Sequence, residues 1–187
     1  MTTTSTNRFQ DTHGQPNPTV VGKIRDHMHP WIQEFIEHAP FVVVASADGD
    51  GNCDASPKGG KPGFVKVLDD RHVLVPDVRG NNLFQSYGNI DSNPHVGLIF
   101  LIPGVNQTAR VNGRAEVVDL EAVRSRGLTI DVFDPDENAA LRQGMLVSVD
   151  EAYGQCPRSI NFARLWDTDT IAANQVERPI SPRPRGV

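Results

Sequence analysis

Two short segments of the chain combine small, cationic and amide residues in a way suited to binding a phosphate group. The first reads Asp54-Ala55-Ser56-Pro57-Lys58-Gly59-Gly60-Lys61, and the second reads Pro76-Asp77-Val78-Arg79-Gly80-Asn81-Asn82. Each is a short β-type run that ends in small or cationic residues, and the second leads into an apolar helical pattern. Unpaired backbone amides at a helix start can hold an anion. The two segments together predict a phosphate cradle whose cation is Lys58, Lys61 or Arg79.

Both segments also have an ordinary interpretation, because Gly, Pro, Asn and Ser are the residues that turns use. The better-known motifs nearby are excluded. Gly60-Lys61 does not end a P-loop, since Pro62 stands where Ser or Thr must reach magnesium. The acidic run 48–52 is not a calcium loop, because the required glycine and glutamate positions hold Cys53 and Gly59. That run is better interpreted as a hairpin turn.

No side chain stands out as a catalytic acid, base or nucleophile, and no metal site is predicted. His27 and His29 are two residues apart and do not share a helix face. Cys53 and Cys156 are too far apart for a zinc knuckle and too few for a disulfide framework, which favours a reducing cytoplasm. For Cys156 two interpretations stay open: a reactive thiol at a helix start, and a buried structural cysteine.

The elements that must position these segments are mainly β. A β-branched run at residues 41–47, closed by the turn-forming residues 48–52, predicts a strand, a hairpin and a second strand. Strands are predicted at residues 53–58, 64–68, 72–76, 96–102, 108–118 and 145–149. Six or seven short strands separated by turns favour a closed, Greek-key-like antiparallel barrel with appended helices.

Helices are predicted before and between the strands. Apolar residues recur at helical spacing from Ile24 to Ile36, and a helical turn can begin at Pro30. Further helices are predicted at residues 81–90, 120–126 and 137–143, with a short one starting at Pro157. Residues 1–20 have the composition of a flexible arm, and residues 171–187 that of an extended, Pro-rich tail. Residues 21–170 are therefore predicted to form one folded domain.

Composition limits the classes of function. The 187 residues, 38% of them hydrophobic, suffice for one well-buried domain. A net charge of -5 argues against a protein whose main partner is nucleic acid, because such proteins concentrate Lys and Arg. The sequence shows neither a signal-peptide pattern nor an apolar run of membrane-spanning length. We expect a soluble cytoplasmic protein that acts on a small molecule, without a nucleic-acid or membrane partner.

The motifs also occur in a characteristic series. Asp-Ala-Ser-Pro-Lys-Gly-Gly is followed by Gly63-Phe64-Val65, Pro76-Asp77, Gly80-Asn81-Asn82 and Asn93-Pro94-His95-Val96, and then by Val111-Asn112-Gly113-Arg114-Ala115-Glu116 and Gln155-Cys156-Pro157-Arg158. Over about residues 41–166 this series resembles the pyridoxamine 5'-phosphate oxidase-like proteins, which bind FMN in a split β-barrel. The resemblance implies an FMN-binding split barrel that works as a homodimer with the flavin at the subunit interface.

The resemblance also implies a cofactor site. Ser56, Pro57 and Lys58 would lie along the flavin and its phosphate, whereas the segment around Gly80 would hold the ribityl-phosphate end. The complete set of implied cofactor-binding residues is Ser56, Pro57, Lys58, Gly59, Lys61, Asp77, Arg79, Gly80, Asn81, Asn82, Thr108 and Arg110. Arg158, Arg164 and Trp166 are candidates for contacts with a substrate or with the site of the partner chain.

Two departures from the family pattern bear on function. The family usually places Arg or Lys where this chain has Asn81 and Asn82, so neutralisation of a phosphate would fall on other cations. An Arg-Leu-His-Asp-Arg segment that binds the substrate phosphate is replaced here by Arg164-Leu165-Trp166-Asp167-Thr168. We therefore predict an FMN-dependent oxidoreductase that transfers hydride or electrons to a small molecule other than pyridoxamine 5'-phosphate. The alternatives are a non-catalytic flavin-binding or stress protein, and a split barrel that uses deazaflavin or haem.

Overall fold

A single antiparallel sheet of seven strands organises the chain. The computed structural model describes residues 7–129, 131–137 and 139–184. The strand order is β2-β1-β5-β6-β7-β4-β3. The strands are β1 (Phe41–Ala47), β2 (Cys53–Gly59), β3 (Lys66–Val67), β4 (His72–Val78), β5 (His95–Leu101), β6 (Thr108–Val118) and β7 (Leu141–Gln155). The predicted antiparallel, mainly β fold with appended helices is confirmed.

Seven helices surround this sheet in the part of the chain that the structure describes. They are α1 (Arg8–His13), α2 (Pro18–Val21), α3 (Pro30–His38), α4 (Gln85–Ser92), α5 (Leu120–Ser125), α6 (Arg158–Phe162) and α7 (Thr168–Glu177). The helical turn predicted to begin at Pro30 is confirmed, because Pro30 is the first residue of α3 and His29 caps it. Residues 24–29 lie outside that helix, and Arg25 instead forms an isolated β-bridge with Ala152.

The first hairpin shows how local sequence determines the sheet. Asp48 accepts hydrogen bonds from the backbone N–H groups of Asp50 and Asn52, each at 2.9 Å, and Gly51 adopts a φ of 87° that favours glycine. Strand β1 alternates in burial, with Val42 and Val44 fully buried. The turn and the alternation together set the pairing of Val44 with Ser56 on β2.

The core lies inside the curled sheet. Its fully buried side chains come from five strands and include Phe100 and Leu98 from β5 and Met145 from β7. Helix α3 adds Ile36, which is also fully buried. Strand β4 is buried on both faces, because Leu74 points into a second small cluster with Val123 and Leu128 on the α5 side. This double burial holds the end of β4 rigidly where the candidate site begins.

The sheet curls until β2 approaches β4, but no backbone hydrogen bonds are described between these two strands. Strand β2 is at one end of the strand order, and β4 is one place from the other end. Nevertheless, Lys58 Nζ on β2 lies 3.5 Å from Asp77 Oδ1 on β4. Backbone pairing does not join these two strands in the described sheet, so the barrel is split along a seam between them. The helix α4 contacts β1, β2 and β6 on this side of the sheet.

One predicted helix is wrong. Residues 137–143 contain good helix formers, but Leu141 and Gln143 lie in β7, where they pair with Val78 and Asp77 of β4. Pairing with β4 overrides the local helix preference, because it provides hydrogen-bond partners for the backbone groups of β4 and extends the sheet. Strand β7 is consequently much longer than the predicted strand at residues 145–149.

The ends of the chain also contain more helix than predicted. Within the arm at residues 1–20, α1 begins with a capping box between Asn7 and Gln10, and α2 follows Asn17. Residues 1–6 of that arm lie outside the described residues. At the other end, α7 occupies the first part of the tail at residues 171–187 because Asp167 caps it. Residues 178–184, where the prolines lie, have no helix or strand, as predicted.

Candidate functional site

A pocket of about 310 Å³ opens along the seam between β2 and β4. This volume is within the range of small-molecule binding sites. The pocket is lined by Asp54, Ala55, Ser56, Pro57, Lys58, Asp77, Val78, Gly80, Asn81, Asn82, Leu83, Phe84, Gln85, Ser86, Tyr87 and Arg142. The two segments predicted to form a phosphate cradle therefore meet here, since Ser56, Pro57, Lys58, Asp77, Gly80, Asn81 and Asn82 all line it.

Strand geometry explains why the first segment presents polar groups to the pocket. On β2 the partly buried positions alternate, so that Asp54, Ser56 and Lys58 share one face. Asp54 is held by Ser86 of α4, whose hydroxyl donates a hydrogen bond of 2.6 Å to Asp54 Oδ2. The helix α4 is thereby linked directly to the strand that carries Lys58.

Lys58 and Asp77 form a shielded ion pair across the seam. Their side chains are 16% and 10% exposed, and the Nζ to Oδ1 distance is 3.5 Å. Gln143 of β7 also donates from Nε2 to Asp77 Oδ2, at 3.4 Å. These contacts are long, so the attraction offsets only part of the cost of removing both charges from water. The pair nevertheless leaves neither charge isolated at the bottom of the pocket.

Tyr87 of α4 places a hydroxyl without a partner in the pocket wall. The residue is only 8% exposed, and its hydroxyl has no hydrogen-bond partner of good geometry among the described residues. Burial raises the pKa of the Tyr87 phenol, and the nearby Asp77 carboxylate raises that pKa further. The Lys58 ammonium lies 5.7 Å from the centre of the Tyr87 ring. The phenol is therefore a protonated donor that lies beside the Asp77 carboxylate and the Gln143 side chain without a well-aligned hydrogen bond to either.

The loop between β4 and α4 forms the outer wall of the pocket and has an unusual backbone. Asn82 and Phe84 adopt φ values of 60° and 51°, a region in which side chains other than glycine are uncommon. Asn81 Oδ1 accepts a hydrogen bond from the Leu83 backbone at 3.1 Å, which stabilises the turn. Because of these positive φ values, α4 begins at Gln85 and not at the predicted residue 81.

Arg142 of β7 holds this loop from the other side. Its guanidinium donates a 2.9 Å hydrogen bond to Asn82 Oδ1 and lies 5.1 Å from the centre of the Phe84 ring. From the sequence, Arg142 was predicted to lie in a helix and was not included in the site. Tyr87 was likewise predicted only to lie in a helix. An aromatic residue six positions after Asn81 could have indicated a side chain in the wall of the site.

Comparisons with known proteins agree with this architecture. The family model described as pyridoxamine 5'-phosphate oxidase matches residues 28–156. The chain belongs to the pyridoxamine 5'-phosphate oxidase-like family. At the level of this family, a flavin-type cofactor and oxidoreductase-like chemistry are supported. No curated protein sequence matches the chain.

The chain is also similar to solved structures of low sequence identity. A candidate pyridoxamine 5'-phosphate oxidase from Lactobacillus delbrueckii is 21% identical, with a TM-score of 0.51 over 69% of this chain and 95% of that chain. A conserved hypothetical protein from Mycobacterium tuberculosis is 15% identical, with a TM-score of 0.50 over 73% of this chain and 90% of that one. An FAD binding protein from Mycobacterium smegmatis is 16% identical, with a TM-score of 0.46 over 69% of this chain and 95% of that chain. The first two confirm the fold.

Several residues predicted from the family resemblance do not line the pocket of this chain. Lys61 instead forms a 2.7 Å ion pair with Asp131, and Arg79 is exposed at the end of β4. Thr108 is buried on β6, and the Arg110 guanidinium lies 5.3 Å from the centre of the Tyr153 ring. The residues of the predicted set outside the pocket lining are Gly59, Lys61, Arg79, Thr108 and Arg110.

The three residues predicted near the C-terminus also lie outside the seam pocket. Arg158 stacks on Phe162, with 4.9 Å between the guanidinium carbon and the ring centre. Arg164 pairs with Asp167 at 2.7 Å, and the Trp166 indole donates a 3.0 Å hydrogen bond to the Val105 carbonyl. Trp166 thus packs against the β5–β6 connection, and both polar groups of this segment already have partners.

The described residues bear on the expectations for metal ligands and for the two cysteines. Within residues 7–129, 131–137 and 139–184, no group of three or more His, Cys, Asp or Glu side chains is arranged to hold a metal ion. Cys53 and Cys156 are free and exposed, so the interpretation of Cys156 as a buried structural cysteine is wrong. Among the described helices, none is both long and apolar enough to cross a membrane.

Proposed function

We propose that this protein binds FMN in the seam pocket and transfers hydride or electrons between the flavin and a small molecule. The observation that carries the proposal is the buried hydroxyl of the pocket-lining residue Tyr87, which lies beside Asp77 and Gln143 but makes no well-aligned hydrogen bond to a described residue. Leaving such a group unpaired costs roughly 1–3 kcal/mol, which a ligand acceptor would recover. The carbonyl oxygens and ring nitrogens of a flavin are acceptors of the required kind.

The pocket residues divide into those that orient a ligand and those that balance its charge. When bound, FMN supplies the electron-transfer chemistry itself, and the protein supplies binding, orientation and electrostatics. Tyr87 would donate its phenolic proton in a hydrogen bond, because the phenol stays neutral at ordinary pH. Lys58 would favour negative charge on the ligand, while Asp77 moderates that effect from 3.5 Å away. Helix α4 and the loop before it would exclude water from one side.

The substrate we propose is not pyridoxamine 5'-phosphate. The segment that would bind a substrate phosphate contains Trp166 and Thr168 where the family pattern has His and Arg. The remaining Arg164 is already paired with Asp167 at 2.7 Å. A phosphorylated amine would therefore find little free positive charge in this segment.

We propose in addition that the working unit is a homodimer. The loop that walls the seam pocket exposes two large apolar side chains, Leu83 at 66% and Phe84 at 40%. A second copy would cover this loop, and Arg158 of that copy would complete the site, since Arg164 is already paired with Asp167. Analytical ultracentrifugation of the full chain at micromolar concentration tests this point, and a monomer in the presence of saturating FMN would contradict it.

The decisive experiment is an absorption spectrum of the purified protein before and during titration with FMN. We expect the two visible bands of an oxidised flavin, either as purified or after titration, with a perturbed shape that shows a bound chromophore. Parallel titrations with FAD, a deazaflavin and haem separate the cofactor alternatives. Turnover with NAD(P)H and common acceptors separates an enzyme from a non-catalytic flavin carrier. A protein that is colourless as purified, and added FMN whose bands keep the shape of the free flavin throughout the titration, would overturn the proposal.

A further inference from the structure

The seam pocket has an unexpected balance of charge for a site that would hold a phosphate. Among the described lining residues, the charged side chains are Asp54, Lys58, Asp77 and Arg142. Lys58 is paired with Asp77 at 3.5 Å, and Asp54 accepts a 2.6 Å hydrogen bond from Ser86. Asp77 therefore offsets part of the charge that Lys58 could offer a second anion. The contacts described for Arg142 are to neutral groups only.

The contacts of Arg142 orient its guanidinium and leave some of its N–H donors free for a ligand. A guanidinium carries five N–H donors in a planar fork, and Asn82 takes one of them at 2.9 Å. The stacking on Phe84 at 5.1 Å fixes the plane of the fork without consuming donors. The side chain is only partly exposed, so its charge is screened less than that of a surface residue. An arginine with donors left free in its planar fork can bind a phosphate or carboxylate with two parallel hydrogen bonds.

The neighbouring start of α4 points to the same kind of ligand. Helix α4 has eight residues and no side-chain hydrogen bond at its N-cap, Phe84. The first backbone N–H groups of a helix lack partners within the helix and favour an anion. Phe84, Gln85 and Ser86 line the pocket together with Arg142, and Tyr87, whose hydroxyl makes no well-aligned hydrogen bond, lies in the first turn of the same helix. An anion at this point would meet a guanidinium and a helix start at once.

We infer that Arg142 recognises the phosphate of the bound flavin nucleotide, in the role that Arg or Lys would have at the Asn81 and Asn82 positions. The inference rests on the proposed function and adds a specificity-determining residue to it. The chain has Asn81 and Asn82 on the loop and a cation on β7, and the amide oxygen of Asn82 holds that cation in place. Arg142 thus decides the preference for FMN over riboflavin, which has the same ring system but no phosphate.

The test is a pair of titrations, with FMN and with riboflavin, on the full chain and three variants. For Arg142→Gln we expect the Kd for FMN to rise by about tenfold to a hundredfold, since charge-assisted hydrogen bonds are lost. The Kd for riboflavin should change by no more than about twofold, as for a neutral surface substitution. Arg126→Gln on the α5 side is the matched control and should leave both values unchanged, whereas Arg79→Gln tests the competing cation, which lies outside the pocket lining.

The two titrations separate recognition of the phosphate from support of the loop. If FMN and riboflavin lose affinity equally in Arg142→Gln, the residue merely supports the loop and the inference is overturned. The inference also fails if only Arg79→Gln loses FMN, or if the wild-type chain binds both ligands equally well. A wild-type chain that binds neither ligand overturns the proposed function itself. If Arg142→Gln does not fold, Arg142→Lys keeps the charge but not the fork and should still reduce the preference for FMN, whereas an unchanged preference would contradict the inference.

Discussion

Lys58 Nζ lies 3.5 Å from Asp77 Oδ1, although the two residues belong to strands that are separated by four others in the sheet. This contact spans the seam of the split barrel and forms the floor of the pocket. It ties the shape of the site to the closure of the sheet, because any opening of the barrel separates the two charges. The Lys58–Asp77 pair therefore contributes both to the pocket and to the closure of the barrel.

The first prediction concerns this pair. Asp77→Asn should lower the free energy of unfolding by roughly 1–3 kcal/mol, because it leaves the Lys58 charge shielded from water without a carboxylate. Urea denaturation followed by circular dichroism measures the change. The double variant Lys58→Met with Asp77→Asn should recover part of the loss. If the two single effects simply add, the two side chains are not coupled and the seam is closed by other contacts.

A second prediction concerns the unpaired phenol. Tyr87→Phe removes a buried hydroxyl without a partner, so the stability of the ligand-free protein should stay the same or rise by up to about 1 kcal/mol. The affinity for FMN should fall by about 0.5–1.5 kcal/mol, which is roughly twofold to tenfold. Thermal unfolding and an FMN titration measure the two quantities. Tyr153→Phe on β7 is the matched control, since Tyr153 does not line the seam pocket. A Tyr87→Phe variant that loses stability but no FMN affinity would show a purely structural hydroxyl.

A third prediction follows from the raised pKa of Tyr87. The unfolded chain releases the phenolic proton above its ordinary pKa of about 10, whereas the folded chain retains it. The unfolded state then binds fewer protons than the folded state, so stability is complete below pH 10 and falls as the pH rises further. Between pH 9 and pH 11 the ligand-free wild type should lose roughly 1.4 kcal/mol more than Tyr87→Phe. Equal losses in the two proteins would mean that the phenol titrates normally in the folded state.

A fourth prediction compares two glycines. A Cβ on Gly113, which lies at the bulge between β6 and β7, would overlap the Ser148 carbonyl oxygen. Gly113→Ala should therefore destabilise the protein by about 3 kcal/mol or more, because backbone has to move. Gly88 in the middle of α4 has open space around it, and Gly88→Ala should stabilise the protein by roughly 0.5–1 kcal/mol. Denaturant midpoints measure both, and a well-tolerated alanine at residue 113 would show that the bulge is adaptable.

The sequence predicted the part of the site on β2 and on the loop after β4, but not the part that Arg142 and Tyr87 contribute. The residues of β2 and the Gly80-Asn81-Asn82 turn were predicted because turn chemistry and strand alternation are local properties. Arg142 was missed because residues 137–143 contain good helix formers, and only the pairing of Gln143 with Asp77 shows that this segment is a strand. Lys61 and Arg79 were plausible cations by type and spacing. Their side chains lie outside the pocket, which spacing along the chain does not reveal.

The sequence by itself determined the hairpin at Asp48–Asn52, the antiparallel strands, the helix that begins at Pro30 and the family of the chain. These depend on interactions between residues close together, or on patterns that repeat along one strand. Only the tertiary structure decided that β2 meets β4, that Arg142 reaches Asn82 and that the Tyr87 hydroxyl is left without a partner. Such features depend on contacts between residues 19 to 66 positions apart, as in Lys58 with Asp77 and Gln143 with Asp77. Their geometry exists only after the sheet has curled and closed.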